Sequence, residues 1–243
     1  PPPRFSPREF AGALVSQRLG VPAWVLVTQL FIGFGWLRAA TEKVLDPDWW
    51  NGATLLGFLA DHEEASLGWY TPFTENVVAP FTVAIAVVVF AFQLVAGASL
   101  VLGRRVGLGL AIGIFLNVHF VAAGAVNPSA FYLLAQGAIA LWSAETSRDE
   151  PRTGQVLWGV ALAALLLGIA SAPFISTIDP ALVIDDPAVM YVSGAVLTVL
   201  ACEVTERRLT GPGRGTTLPP AAQSPEFWAG AETPPVHPRP MRR

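Results

Sequence analysis

Charged and indole side chains gather in the stretch "WLRAATEKVLDPDWWNG", residues 36–52, directly after an apolar run. Arg38 and Glu42 are four positions apart, so in a helix they lie on one face and can form an ion pair. Lys43 follows at once. Charges next to an apolar segment usually face a protein interior, a polar cavity or the membrane interface. The stretch therefore fits either a functional pocket or an anchor at the outer membrane surface.

A second polar position is His119, within the apolar stretch "GIFLNVHFVAAG". An imidazole at membrane depth can donate a hydrogen bond to a quinone carbonyl or relay a proton. Asn117 lies two residues away and would point to nearly the opposite side of the same helix, so both cannot line one simple pocket. Hydrogen bonds between helices are the alternative role for each side chain.

The sequence offers few groups for redox, metal or covalent chemistry. Its one cysteine, Cys202, cannot form a disulfide or a cysteine-based metal or iron–sulfur site within the chain. There is no GxxxxGK[ST] phosphate-binding motif and no basic stripe suited to nucleic acid. We therefore expect no catalytic residue, no metal ligand, no covalent cofactor and no nucleic-acid partner.

Composition indicates a membrane protein. The mean hydropathy is +0.51, and 53% hydrophobic against 14% charged residues lies outside the range of ordinary soluble domains. Apolar runs near the roughly 20 residues that span a bilayer core occupy residues 23–40, 78–102 and 106–126. A shorter run occupies residues 130–143, and two more occupy residues 156–174 and 189–202, the last near the lower limit for a span. The sequence predicts an all-α integral membrane protein with six transmembrane helices.

Basic and acidic residues separate onto alternate connections between these predicted helices. One side carries Arg4, Arg8, Arg18, Arg104, Arg105, Arg148, Arg152, Arg207, Arg208 and Arg214. The other side carries Asp46, Asp48, Asp61, Glu63, Glu64, Glu75, Asp179, Asp185 and Asp186, and the only basic residues near it are Arg38 and Lys43. The positive-inside rule then places both termini in the cytoplasm, which an even number of spans satisfies. We expect the membrane to be a bacterial-type inner membrane.

The chain divides into five parts by composition. We predict a cytoplasmic N-terminal arm at residues 1–22 and a four-helix bundle at 23–143, with a long outer loop at 45–77. A polar cytoplasmic linker follows at 144–155, then two additional transmembrane helices at 156–205 and a Pro/Gly-rich cytoplasmic tail at 206–243. The apolar residues 53–60 predict a re-entrant or interfacial helix within the outer loop.

Small and aromatic residues indicate where this chain packs. Gly97, Gly109 and Gly113 would let helix backbones approach closely, as small residues do in membrane bundles. The tail motif "PEFWAG" supplies Phe227 and Trp228 as aromatic anchors for a partner subunit.

The order of these motifs resembles the DoxX/DoxD family of small four-helix membrane proteins. The resemblance covers residues 24–143 and is carried by "GFGWLRAATEKVLDPDWWNG", "FQLVAGASLVLGRRVGLG" and "NVHFVAAGAVNPSAFYLLAQGAIALW". In the family pattern an arginine precedes the first-helix glycine by four residues and a glutamate precedes the second-helix glycine by four. Gln29 and Gln93 hold these positions here. Two amides can still hydrogen-bond across helices, whereas losing one member of a buried ion pair would strand the other.

The resemblance implies membership in a group of membrane proteins linked to quinone chemistry. Three hypotheses about function remain. The first is a non-catalytic accessory subunit of a larger respiratory or other electron-transfer complex, with other membrane subunits and lipids as partners. The second is a quinone-linked oxidoreductase subunit of the thiosulfate:quinone type, in which Arg38, Glu42, Lys43 and His119 surround the quinone. The third is a small-solute transporter, which would typically show repeated halves and broken helices.

Overall fold

The structure is a computed structural model that describes residues 20–146, 150–177, 179 and 182–210. Within these residues all regular secondary structure is helical. The long helices are α1 (Ala23–Leu45), α2 (Thr82–Leu102), α3 (Val106–Ala122), α4 (Ser129–Glu145), α5 (Glu150–Ser171) and α6 (Pro187–Thr210). The predicted arm up to residue 19, most of the tail, and with it Phe227 and Trp228, lie outside the described residues.

Four helices are long and apolar enough to cross a membrane: Ala23–Leu45, Thr82–Leu102, Arg152–Phe174 and Pro187–Thr210. The described part of the chain is therefore that of an all-helical protein suited to a membrane. The helices α3 and α4 have 17 residues each. The apolar run that begins α3 continues to residue 126, but the helix ends at Ala122. Its end is set by Gly124, whose φ of 96° lies in the left-handed region that favours glycine.

The first four long helices form a closed ring, which we call the four-helix ring. In it α1 packs on α2, α2 on α3, α3 on α4, and α4 again on α1. The core of the ring is formed by Val25, Ile32, Trp36, Ala96, Leu100, Leu110, Leu116 and Ile139. Helix α5 packs mainly on α6, which in turn contacts α4 and α3. The last helix thus joins the α5–α6 pair to the ring.

The outer surface of the long helices is strongly apolar. Phe34 on α1, Phe131 and Leu134 on α4, and Leu166 on α5 are each more than half exposed. Contiguous exposed apolar side chains of this kind are costly in water and favourable against lipid tails. The arrangement, with apolar side chains outside and several polar ones inside, is that of a protein whose solvent is a membrane.

Residues 46–81, the α1–α2 connection, fold against the ring as short helical segments. A helix, Ala53–Asp61, is present where a re-entrant or interfacial helix was predicted, next to Pro47–Trp50, Glu63–Ala65, Thr71–Phe73 and Thr74–Val78. The Trp49 indole donates a 3.2 Å hydrogen bond to the Ala86 carbonyl on α2. The Leu67 N–H donates a 2.9 Å bond to the Ala122 carbonyl at the end of α3. These bonds attach the connection to both helices.

The described residues of the polar linker predicted at 144–155 are mostly helical. Helix α4 continues to Glu145 and α5 begins at Glu150, and α6 likewise extends to Thr210, beyond the apolar run at residues 189–202. Hydropathy marks only the apolar part of a helix, whereas the backbone continues where polar residues still pair along it. Glu203 and Arg207 form such a pair at 2.6 Å.

Candidate functional site

The seam between α1 and α2 is built on glycine and one amide. A Cβ at Gly97 would lie 2.9 Å from the Gly33 carbonyl oxygen and 2.8 Å from the Leu37 side chain, so the two helices are in backbone contact there. Close by, the Gln29 side chain donates a 2.7 Å hydrogen bond to the Leu100 carbonyl. Gln29 therefore bonds to the backbone of the neighbouring helix. It does not bond to the Gln93 side-chain oxygen, which has no hydrogen-bond partner among the described residues.

A buried polar centre lies where α3 meets α4. The Asn117 amide nitrogen donates to the Gly113 carbonyl at 2.9 Å and to the Gln136 carbonyl oxygen at 3.4 Å. Asn117 and Gln136 are 1% and 0% exposed. A Cβ at Gly113 would collide with the Gln136 amide and lie 3.0 Å from the Trp36 indole nitrogen. The glycine therefore allows both polar groups to approach the α3 backbone.

Three polar atoms of this interior have no hydrogen-bond partner among the described residues. They are the indole Nε1 of Trp36, the Oε1 of Gln93 and the Nε2 of Gln136. Each belongs to a side chain at most 3% exposed. Buried polar groups without partners are rare because leaving one unpaired costs about 1–3 kcal/mol. Trp36, Gln93 and Gln136, with Asn117, are hereafter the polar centre.

The charged residues of α1 are placed elsewhere. Arg38 Nε bonds to Glu42 Oε1 at 2.8 Å, as their spacing predicts, and the two side chains are 82% and 59% exposed. Lys43 Nζ lies 4.3 Å from the centre of the Trp49 ring, in a cation–π contact. The pair thus lies on the outside of the ring, and Lys43 turns towards the α1–α2 connection.

His119 lies in the last turn of α3. Its Nδ1 is 3.0 Å from the Phe115 carbonyl, and its ring stands edge-on to Tyr70 and Phe73 of the α1–α2 connection. Asn117 points into the ring towards Gln136 instead. The two side chains point in different directions, as their two-residue spacing predicts. The imidazole packs against aromatic rings near the helix end, and not at mid-helix depth.

One carboxylate is organised by backbone donors. Asp186 accepts bonds from the Ser176 N–H and hydroxyl, both 2.8 Å, and from the N–H groups of Ala188 and Val189 at 2.8 and 3.2 Å. Burial by itself would raise the pKa of Asp186, but these hydrogen bonds outweigh it and hold the pKa below its ordinary value. The side chain caps α6 and fixes the connection between α5 and α6.

An open apolar groove of about 490 Å³ runs between α1, α4 and α6. Its lining includes Trp24, Trp142, Leu197 and Leu200. At one end the groove reaches the Arg208–Glu145 ion pair, 2.6 Å long. The groove lies near the start of α1 and the end of α6, on the surface and away from the polar centre.

The sequence singled out two members of the polar centre, Gln93 and Asn117, but missed Trp36 and Gln136. One signal for Gln136 was present, since it is the single amide in the apolar run of α4. No group of three His, Cys, Asp or Glu side chains capable of holding a metal ion occurs in the part of the chain that the structure describes.

Comparison of the chain with protein-family models, with curated proteins and with solved structures gives no match. The resemblance to DoxX/DoxD proteins therefore rests on the sequence motifs alone.

Proposed function

We propose that the chain is a DoxX/DoxD-like protein that crosses a bacterial-type inner membrane six times, with both termini in the cytoplasm. Helices α3 and α4, at 17 residues each, would be about 26 Å long, near the lower limit for a span. Their exposed faces carry Leu108 and Phe115 on α3 and Phe131 on α4. These apolar faces support a lipid-exposed position for both helices.

In that membrane the chain acts as a non-catalytic accessory subunit of a larger complex, respiratory or otherwise engaged in electron transfer. The observation that carries this proposal is the outward placement of Arg38 and Glu42 as an exposed ion pair. Inside the ring, Ile32, Trp36 and Leu100 pack together and are at most 3% exposed. A charged head-group pocket inside the ring would require the opposite arrangement. Exposed charges on a membrane helix instead suit the interface or a partner.

The groove between α1, α4 and α6 offers a docking position for such a partner. It is apolar along its length, with Trp24 and Trp142 in its lining, and Arg208 with Glu145 at one end. Aromatic side chains and arginine are enriched where proteins bind each other. We propose that a transmembrane helix of another subunit packs here, and that the tail residues Phe227 and Trp228 bind the same complex.

Affinity capture of the tagged full chain from its own membranes tests this proposal. Leu200→Trp should fill the groove and reduce the recovered partner subunits several-fold. Leu94→Trp, at an exposed site of α2 outside the groove, is the matched control and should leave recovery unchanged. The double variant Phe227→Ala with Trp228→Ala should weaken capture as well. Equal recovery with all variants would contradict docking at the groove and tail.

The competing proposal is the quinone-linked oxidoreductase subunit. It predicts quinone reduction by the purified chain that is lost when Lys43 or His119 is replaced. Under the accessory-subunit proposal, Lys43→Met and His119→Leu leave the rate of quinone reduction unchanged, because neither residue belongs to a reaction centre.

A further inference from the structure

We propose that the polar centre binds one water molecule, which accepts hydrogen bonds from Trp36 and Gln136 and donates one to Gln93. The inference begins with the orientation of the amides. The Gly113 carbonyl can only accept, so the Asn117 group that lies 2.9 Å from it must be the NH₂ group. The same nitrogen faces Gln136, whose oxygen must then point towards Asn117. Exchanging the oxygen and nitrogen of Gln136 would place two donors opposite each other.

The Gln136 NH₂ group therefore points towards Gly113 and Trp36. Its nitrogen and the Trp36 indole nitrogen both lie within 3.0 Å of the position that a Cβ at Gly113 would occupy. Both groups are donors without acceptor capacity, so they cannot bond to each other. A single oxygen atom between them can accept from both.

The third group is the Gln93 carbonyl oxygen, an acceptor. A Cβ at Gly109 would lie 3.1 Å from the Ala96 carbonyl oxygen, which fixes the register of α3 against α2. The two helices run in opposite directions, because only a short turn joins them. Gly113 lies one helical turn after Gly109 on α3, and Gln93 lies about one turn before Ala96 on α2. Because the helices are antiparallel, both steps lead in the same direction along the bundle. Gln93 thus lies at the level of the two donors.

The chemistry of the three groups limits the ligand to water or another hydroxyl group. A ligand that satisfies all of them must accept two hydrogen bonds and donate one. Water does this, and buried waters typically make about three hydrogen bonds. A carbonyl oxygen would satisfy Trp36 and Gln136 but leave Gln93 unpaired, and a cation would meet two N–H donors. This water would link α1, α2 and α4 through hydrogen bonds to Trp36, Gln93 and Gln136. Helix α3 is connected to them by the hydrogen bond from Asn117 to Gln136.

The test is a nuclear magnetic resonance measurement on the full chain in lipid nanodiscs, with its tryptophans labelled by ¹⁵N. The Trp36 indole signal is assigned by its loss in Trp36→Phe. We expect a rotating-frame Overhauser cross-peak between this indole proton and water. Its sign separates dipolar contact with a long-lived water from proton exchange. Trp24, which is 52% exposed, provides the exchange reference in the same spectrum.

Gln93→Met and Gln136→Met should each reduce the Trp36 cross-peak at least twofold. Gln29→Met is the matched control, because Gln29 is a buried amide already bonded to Leu100, and it should leave the peak unchanged. Unchanged signals from the other indoles show that a variant is folded. Absence of a dipolar water peak at Trp36 in the wild-type chain would overturn the proposal. A peak that persists in both Gln93→Met and Gln136→Met would also overturn it.

Discussion

The Gln29 side chain of α1 and the Leu100 carbonyl of α2 are joined by a 2.7 Å hydrogen bond at a site that is almost fully buried. The Leu100 carbonyl also accepts from the Gly103 N–H at 3.2 Å. Removing the Gln29 amide would therefore leave this carbonyl with a partner. A carboxylate in place of the amide, by contrast, would be buried, and no positively charged side chain is among the described contacts of Gln29.

We expect Gln29→Leu to lower the free energy of unfolding by only about 0.6 kcal/mol, the typical value for a hydrogen bond between membrane helices. Gln29→Glu should cost about 2–3 kcal/mol, because it buries a carboxyl group at the seam. Denaturation of the detergent-solubilised chain measures both. Thr28→Val, which removes a 2.7 Å bond to Trp24 within the same helix, is the control. Equal losses for Leu and Glu at position 29 would contradict this account of the seam.

Gly97→Ala should destabilise the four-helix ring by about 1–3 kcal/mol, the usual cost of overpacking. The added methyl group would meet the Gly33 backbone, which cannot move aside as a flexible side chain can. Gly137→Ala is the matched change on α4, where nothing lies within 4 Å of the added Cβ. This variant should be neutral or more stable by up to about 1 kcal/mol, because alanine favours helix. The same destabilisation at both positions would contradict close packing at Gly97.

Asp186 makes stability depend on pH in a predictable direction. Its pKa is lowered in the folded state, so its contribution is complete above the unfolded pKa of about 3.9 and is lost as the pH falls through the folded pKa. Asp186→Asn should cost about 1–3 kcal/mol at pH 7, because its NH₂ group would face the donors of Ser176. Below about pH 4, the free energy of unfolding of this variant should also fall less with decreasing pH than that of the wild-type chain.

Unfolding measurements at several pH values distinguish this effect from general acid sensitivity. Asp185→Asn is the control, since Asp185 is exposed and its carboxylate accepts from Asn127 at 2.9 Å. It should change stability by less than about 0.5 kcal/mol. Identical pH profiles for the wild-type chain and Asp186→Asn would show that the hydrogen bonds around Asp186 do not stabilise its ionised form.

The six-span proposal predicts which connections face the cytoplasm. In a Cys202→Ser background, Asn51→Cys and Asn127→Cys should react with an impermeant maleimide added outside intact cells. Arg104→Cys and Thr146→Cys should react only after permeabilisation. All four positions are exposed, so accessibility within the protein does not limit labelling. Labelling of Thr146→Cys from the outside would contradict six spans with both termini in the cytoplasm.

Sequence reasoning located the helices well and their ends less well. The apolar runs coincide largely with the six long helices, because a lipid-facing helix must be apolar along most of its length. The α2 run begins at residue 78, before the helix, and the α3 and α5 runs continue past the helix ends at Ala122 and Ser171. Helix ends depend on local conformation instead. Gly124 adopts a φ of 96° and ends α3 before its apolar run is finished. The helical start of α5 at Glu150 lies in a stretch whose polarity suggested a linker.

The candidate site was harder to predict, because it depends on which helices are neighbours. The spacing of Arg38 and Glu42 predicted their ion pair but not whether it faces inwards or outwards. The sequence marks Asn117 as a polar residue within an apolar run, but it does not show that α4 places Gln136 beside it. Trp36 resembles an ordinary core residue, and only the packing at Gly113 shows that its indole nitrogen meets a second donor.

Native mass measurement of the untagged protein shows whether this chain is a subunit of a larger membrane complex. It is extracted from its own membranes in mild detergent, and co-purifying polypeptides are identified. The account predicts a mass well above that of the 25.8 kDa chain, with other membrane subunits present in fixed ratio. A mass equal to one chain, or to a small multiple of it with no other polypeptide, would contradict the accessory-subunit proposal.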